Sequence, residues 1–418
     1  MHDSTATPAR AEKIRFCYSR GMADIFYILA TIQILLGIYA ISEGLRWLGM
    51  ARRRLMTPPA FYTPNVAVLC PCKGAEPGLA QNLQTLCEFD YPNYEVFLSV
   101  ASSSDPAYDV ARRFRDRAKP KVHLVVAGLP EGCGEKVNNL RAAMDQVPAE
   151  PEVFVFADSD GRPGRHWLRD LVAPLSDANL GAATTMRWVF PGGGGFASAM
   201  LAAWNAPIST FPGELKNNFC WGGGTAIRRE VFEQAQVREY WRTSVSDDFS
   251  MTQALQRAGR PIQFLPECLV PSLLETDFDG LMEFTNRQII ITRVYAPRLW
   301  IKAGAVHLYY AATFICGLAA LVTQLAGGNP ILQVLILMLG PALLAAVRGV
   351  LRIVAVGELF PAWRPQLMGQ SWVWTILAPV VPFLYCANFF ISAFTRKIHW
   401  RGIRYELVSP GMTKILTR

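Results

Sequence analysis

Apolar residues along this chain gather into three long runs without formal charge, separated by a stretch in which short apolar segments alternate with polar ones. Between Asp24 and Glu43, the 18 residues 25–42 carry no Asp, Glu, Lys or Arg. As a helix they would be about 27 Å long, close to the thickness of a hydrocarbon core. Ala40-Ile41-Ser42 looks like a signal-peptidase site, so a cleaved leader is the rival reading, but the run is longer than the usual apolar region of a leader. A second run, 303–347, holds 45 uncharged residues between Lys302 and Arg348. Gly327-Gly328-Asn329-Pro330 interrupts it with residues that end helices and turn chains, which predicts a helical hairpin. The third run, 365–395, follows Arg364 and contains Pro379 and Pro382, which can break it into a re-entrant hairpin.

The basic residues orient these segments. The turn at 327–330 has no Lys or Arg and is expected outside, whereas Arg348, Arg352 and Arg364 place the next connection in the cytoplasm with residues 51–302. Around the first run the count ties, with Arg10, Lys13, Arg15 and Arg20 before it and Arg46, Arg52, Arg53 and Arg54 after it. The end of the chain (Arg396, Lys397, Arg401, Arg404) also favours the cytoplasm, which requires the third run not to cross completely. The expected organisation is an N-terminal transmembrane anchor (1–50), a cytoplasmic catalytic domain (51–302), C-terminal transmembrane helices (303–395) and a basic tail (396–418). In a bacterium the membrane would be the inner one.

Within 51–302 the pattern alternates between strand and helix. Short apolar runs at 66–69, 95–100, 122–126 and 153–156 read as strands, and 78–88, 107–117 and 136–144 as helices. Strands separated by helices every ~25–35 residues imply βαβ units, hence an α/β fold with a mostly parallel sheet. Ligands in such sheets bind beyond the carboxyl ends of the strands. The fourth strand ends there in Asp158-Ser159-Asp160. Two carboxylates leaving a buried strand can hold a divalent cation against a diphosphate, although Asp-Ser-Asp is also an ordinary polar turn.

Trp221-Gly222-Gly223-Gly224-Thr225 removes every Cβ from a short stretch of backbone, which permits either close ligand approach or a flexible turn. No P-loop pattern occurs anywhere. Ser246-Asp247-Asp248 opens a helix predicted over 249–258; acids suit a first turn, yet two exceed what capping needs, and one can serve as a general base. Asn286-Arg287-Gln288 and Arg293 precede the second apolar run, as phosphate ligands or as the basic flank of a membrane helix. Residues 196–211 are apolar and nearly uncharged but too short to span, so they suit either an interfacial helix at an acceptor entry or a buried core helix.

Composition narrows the class. Only 18% of residues are charged and 51% are hydrophobic, with a mean hydropathy of +0.19, against disorder and against a purely soluble enzyme. Lys and Arg exceed Asp and Glu by 41 − 33 = 8, too modest an excess for a nucleic-acid partner. The nine cysteines form neither a C-x-x-C pair nor a Cys/His cluster, so a reducing compartment is expected.

In order, these motifs resemble those of the membrane-bound inverting glycosyltransferase superfamily that includes cellulose synthases, and most of all the ceramide glucosyltransferase family. The likeness is carried by Cys70-Pro71-Cys72-Lys73-Gly74, Ser104-Asp105-Pro106-Ala107, Lys136-Val137-Asn138-Asn139-Leu140, Ser246-Asp247-Asp248-Phe249 and the terminal Ile398-His399-Trp400-Arg401-Gly402-Ile403-Arg404-Tyr405. It implies a nucleotide-diphospho-sugar transferase fold of the GT-A type and a UDP-sugar donor, UDP-glucose by the family's pattern. It also implies a divalent cation (Mg2+ or Mn2+), a lipid acceptor such as ceramide, and a glycolipid product.

Carried over by position, Asp158 and Asp160 would hold metal and diphosphate, and Asp248 would be the base beside Asp247. Pro71, Lys73, Glu76, Ser102, Asp105, Lys136, Asp158, Gly223, Arg287 and Gln288 would bind the nucleotide sugar. Two departures stand out. The second strand runs into Ala101-Ser102-Ser103-Ser104, where such enzymes usually place a carboxylate. Phe284-Thr285-Asn286-Arg287-Gln288 replaces the usual Gln/Arg-x-x-Arg-Trp motif, keeping the Arg without the Trp. The rival readings are a processive polysaccharide synthase and a catalytically inactive membrane protein that binds nucleotide or lipid.

Overall fold

The computed structural model describes residues 8–115, 119–215 and 218–417, with side chains from residue 23 onward. Strands β1 (Val66–Pro71), β2 (Tyr94–Val100), β3 (Lys121–Val126) and β4 (Val153–Ala157) alternate with the helices Leu79–Leu86, Pro106–Arg112 and Glu135–Asp145. All four strands are parallel, in the order β3-β2-β1-β4. Every residue of β1 and β4 is buried, which is why their sequences read as continuous apolar runs rather than alternating ones.

Beyond β4 the sheet continues through β5 (Ala182–Thr184), β7 (Gly224–Arg228) and β8 (Ile262–Phe264), giving seven strands in the order β3-β2-β1-β4-β7-β5-β8. Strand β7 runs antiparallel to β4, with Gly224 opposite Ala157. That pairing sets the last glycine of the Gly-rich segment beside the end of the strand that delivers Asp158. Strands β6 (Arg187–Pro191) and β9 (Val270–Leu274) pair separately in parallel. The expected α/β fold, with a mostly parallel sheet and added apolar helices, is the one the chain adopts.

Among the described residues, three helices are long and apolar enough to cross a membrane: Ala23–Met56 (part of a continuous helix from Pro8), Pro297–Ala326 and Leu332–Leu359. The first runs unbroken through Ala40-Ile41-Ser42 and is tied to the second, whose Tyr309 hydroxyl donates to the Leu29 carbonyl (2.7 Å). The second and third form the expected hairpin about residues 327–331. The third apolar run breaks into Arg364–Gly369, Ser371–Thr375 and Val381–Phe394. Its longest piece has 14 residues, about 21 Å of helix, short of a ~30 Å core.

The end of the chain therefore returns to the side that carries the sheet. It folds there as an antiparallel unit, β10 (Lys397–Trp400), β11 (Ile403–Ser409) and β12 (Met412–Thr417), packed on the helix Phe278–Tyr295. The helix Phe196–Ser209 is a core element: ten of its 14 residues are buried, against β6 and the apolar helices Ser371–Thr375 and Val381–Phe394. One of its edges nonetheless lines the large cavity described next.

Candidate active site

Four charges, Asp247 buried and the other three half-buried, meet at the carboxyl end of β4. Asp158 leaves the strand and Asp160 follows on the loop. Asp247 opens the helix Asp247–Arg257, and Lys136 comes from the first turn of Glu135–Asp145. Lys136 Nζ lies 2.8 Å from Asp158 Oδ1 and 3.1 Å from Asp247 Oδ2. Arg187, the first residue of β6, bridges the other two oxygens: Nη2 is 2.6 Å from Asp158 Oδ2 and Nη1 2.8 Å from Asp160 Oδ2. Its guanidinium also sits 5.2 Å from the centre of the Trp221 ring.

Burial disfavours each of these charges, and their neighbours decide the outcome. Burial, with Asp248 and Asp158 adding to it, pushes Asp247 above the usual carboxylate range. For Asp158 burial is outweighed by Lys136 and Arg187, which hold it low. The surrounding carboxylates likewise overcome burial at Lys136 and Arg187 and hold both firmly protonated.

Asp248 differs from Asp247 in having a free edge. Its Oδ1 accepts from Phe249 N (2.7 Å) and from the Ser246 hydroxyl, while Oδ2 accepts from none of the described residues. Asp248 is half-buried and lines the cavity, a geometry suited to taking a proton. The Gly-rich segment is needed for packing as much as for access. A Cβ on Gly222 would stand 2.0 Å from Asp247 Oδ2, and one on Gly223 would stand 2.5 Å from Asp158 Oδ2.

A second ring of charges lies above the loop after β1. Lys73 Nζ pairs with Glu135 (2.8 Å) and Glu76 with Arg401 (2.8 Å). Arg401 also donates to the Lys73 carbonyl (2.9 Å). Arg401 and Gly402 form the two-residue turn between β10 and β11, with φ of 48° and 84°. A left-handed turn of this kind usually takes Asn-Gly, so the Arg is held there by its contacts across the cavity rather than by turn preference.

From the same unit, Trp400 lies 5.1 Å from the Arg287 guanidinium, which Phe284 flanks at 5.1 Å. The aromatic partner absent from the local Arg motif thus arrives from more than a hundred residues downstream. Burial pushes Arg287 down to about 10, still charged at neutral pH.

One cavity of about 2340 Å³ collects these groups. Pro71, Lys73, Glu76, Lys136, Asp158, Asp160, Asp247, Asp248, Arg287 and Gln288 all line it. Ser102 and Asp105 do not: Ser102 bonds Ser104 (2.8 Å), and Asp105 caps the helix Pro106–Arg112 through Ala107 N (2.8 Å) while accepting from Gly74 N (2.8 Å). Gly223 supports the lining from behind.

Sequence reasoning missed Arg187, Glu135, Arg401 and Trp400. For Arg187 a signal existed, a lone charge inside the apolar stretch Met186-Arg187-Trp188-Val189-Phe190; the others are brought in by tertiary pairing. Among the described residues no three His, Cys, Asp or Glu side chains are grouped to hold a metal ion by themselves. Asp158 and Asp160 do fit a two-carboxylate cation site whose remaining ligands are substrate phosphates: Asp160 Oδ1 is buried and has no hydrogen-bond partner among the described residues, and Arg187 occupies the position of the counter-charge.

The model of glycosyl transferase family 21 matches residues 26–413, nearly the whole described chain. The chain belongs to glycosyl transferase family 21. It is a glycosyltransferase with helices fit to span a membrane. This family 21 chain is also 30% identical over 90 residues to a ceramide glucosyltransferase of Komagataella phaffii, a match covering 22% of this chain and 16% of that protein. Among solved structures it is similar to a mannosyltransferase from Pyrobaculum calidifontis in complex with GDP-Man and Mn2+. That likeness has a TM-score of 0.43 and 18% identity, covering 86% of this chain and 99% of the other. It is similar too to S. aureus TarS 1-349 in complex with UDP-GlcNAc, with a TM-score of 0.37 and 13% identity, covering 85% and 99%.

Proposed function

We propose that this chain transfers a hexose with inversion from a UDP-sugar, UDP-glucose being the first donor to test, to a hydroxyl of a membrane lipid such as ceramide. The observation that carries this reading is the continuity of the cavity. Its lining passes from Asp158, Asp160 and Asp248 to Val306 and His307 of one long apolar helix and Leu351 of another. A soluble sugar nucleotide and a bilayer lipid can therefore share it.

In the proposed reaction Lys136, Arg187 and Arg287 hold the diphosphate, and Asp248 Oδ2 takes the proton of the acceptor hydroxyl. A positioned base of this kind contributes ~10²–10⁴-fold. Asp247 keeps Lys136 in place, and Lys73 and Glu76, tied to the terminal β unit, wall the nucleotide side. A Mg2+ or Mn2+ bound by Asp158 and Asp160 would neutralise charge on the leaving diphosphate. The Lys/Arg bias of the connections supports a cytoplasmic catalytic domain over 51–302, between the anchor at 1–50 and the helices of 303–395.

The test is UDP release by the protein in detergent with UDP-glucose and Mg2+ or Mn2+, with and without ceramide. Ceramide-stimulated release supports the reading. No release with ceramide, diacylglycerol or sterol, despite tight UDP binding, would overturn it.

A further inference from the structure

Arg187 lies where a divalent cation shared by Asp158 and Asp160 would have to lie. Its Nη2 is 2.6 Å from Asp158 Oδ2 and its Nη1 2.8 Å from Asp160 Oδ2. Asp160 can still offer Oδ1, which has no hydrogen-bond partner among the described residues. Asp158 has no oxygen to spare, because Arg187 holds Oδ2 and Lys136 holds Oδ1 (2.8 Å). The carboxylate has little room to turn either, with Gly223 packed so closely that a Cβ there would stand 2.5 Å from Oδ2. A cation that bridges the pair must therefore displace Lys136 or Arg187 from Asp158.

The contacts favour the release of Arg187. Lys136 keeps a second carboxylate, Asp247 at 3.1 Å, whereas among the described residues Arg187 pairs with no carboxylate except the two the cation needs. The Arg187 backbone is fixed: its carbonyl accepts from Asn205 and Ser209, and it stands opposite Val270 in the pairing of β6 with β9. The side chain is the movable part. It lines the cavity beside Trp221, whose ring centre is 5.2 Å from the guanidinium. A guanidinium released from carboxylates is matched in charge and fork geometry by phosphate oxygens.

Charge balance points the same way. Three carboxylates, Asp158, Asp160 and Asp247, face two cations, Lys136 and Arg187. A divalent cation alone would turn that negative excess positive, and the diphosphate of a sugar nucleotide alone would deepen it. Together they restore it. Charges in a half-buried site are screened only weakly by salt, so the imbalance of either ligand alone is felt in full.

We propose that Arg187 is a counter-ion that changes partners, holding Asp158 and Asp160 until a divalent cation and the donor bind, and then passing to the donor's diphosphate. Cation and donor consequently bind synergistically, and Arg187 is a positioning residue that couples them. The inference rests on the proposed sugar-nucleotide reading of this site and deepens it.

The test measures Mn2+ binding to the full chain in detergent, from the electron paramagnetic resonance signal of the free ion. It is run with no nucleotide, with UDP and with GDP, and the protein-free mixtures serve as blanks. In the wild type UDP should raise Mn2+ affinity by about tenfold or more, and Mn2+ should raise UDP affinity by the same factor. Arg187→Gln should bind Mn2+ alone about tenfold tighter than the wild type and keep only a small part of the gain from UDP. Arg187→Lys, which keeps the charge but not the fork, should fall between, and it carries the test if Arg187→Gln fails to fold. Arg287→Gln removes a neighbouring charge that is paired with Glu283 and with neither aspartate, and it should leave nucleotide-free Mn2+ affinity close to that of the wild type.

Nucleotide-free Mn2+ affinity that stays at the wild-type value in the folded Arg187 variants would overturn the proposal. So would a gain from UDP that survives undiminished in Arg187→Gln, or equal tightening in Arg287→Gln, which would make the effect one of bulk charge. Arg187-dependent coupling with GDP and none with UDP would uphold the exchange of partners and remove the UDP-sugar reading. Ceramide-stimulated UDP release by a protein whose Mn2+ affinity is independent of Arg187 would do the reverse.

Discussion

Gly222 offers a perturbation aimed at reacting groups rather than at the fold. A Cβ added there would lie 2.0 Å from Asp247 Oδ2, 2.8 Å from its Cγ and 2.6 Å from Lys136 Nζ. Comfortable separations begin near about 3.5 Å, so the carboxylate must retreat by roughly 1.5 Å. It cannot do so alone, because Lys136 is shared between Asp247 (3.1 Å) and Asp158 (2.8 Å), and all three side chains are enclosed. The Gly222 backbone lies outside the left-handed region, so alanine itself is unstrained there. Misplacing a reacting group by ~1 Å costs on the order of 10²-fold in rate, or about 2.7 kcal/mol of barrier. Overpacking should cost stability ~1–3 kcal/mol.

The assay is the initial rate of UDP release together with thermal unfolding in detergent, with Gly164→Ala as the control. A Cβ on Gly164 would meet nothing within 4 Å. Gly222→Ala should remain folded and lose about 100-fold in kcat/KM, while the control matches the wild type. A Gly222→Ala protein of unchanged kcat/KM would show that the Lys136–Asp247 pair stands away from the chemistry.

Further expectations follow from the same geometry. Arg187→Ala strips Asp160 of the one cation in contact with it among the described residues and Asp158 of one of the two, so stability should fall by ~3–5 kcal/mol, and Mn2+ should raise the melting temperature of the variant more than that of the wild type. Trp400→Ala removes one of the two rings flanking Arg287; a lost cation–π contact of ~1–2 kcal/mol predicts a rise in donor KM of roughly 5–30-fold with little change in kcat, and a fall confined to kcat would refute it. Asp105→Ala should cost ~0.5–2 kcal/mol of stability through its lost helix cap and loosen the loop at Gly74; UDP affinity lost in a protein of unchanged stability would contradict that structural role.

What the sequence reveals here depends on the range of the interaction. The parallel strands were legible because residues such as Val153-Phe-Val-Phe156 are buried on both faces and leave continuous apolar runs. The acids were legible because Asp158 and Asp160 follow such a strand and Asp247 and Asp248 open a helix, both local facts. Pro379 and Pro382 left a break in the third apolar run open without deciding it; the structure breaks the run between Ser371–Thr375 and Val381–Phe394 and brings the final β unit back to the sheet.

Long-range pairings left little trace. Nothing near Arg401 predicts that it reaches across to Glu76 and Lys73, and nothing near Arg287 says that Trp400 supplies its ring. Asp105 shows how one residue supports two local readings: a carboxylate near the end of a strand suggests ligand contact, while Pro106 after it marks an N-cap, and its hydrogen bonds in the structure are those of a cap. Residues 196–211 carried too little periodicity to separate an interfacial from a core helix, since the segment is apolar on nearly every face.

The central claim is that Asp248 is the base of a lipid-directed sugar transfer. Asp248→Asn keeps the shape and an oxygen that can still accept from Phe249 N, but removes the basic carboxylate. Measured side by side, UDP binding with Mn2+ and acceptor-dependent UDP release should separate: affinity within about twofold of the wild type, turnover reduced by ~10²–10⁴-fold. Wild-type turnover in Asp248→Asn would contradict the account.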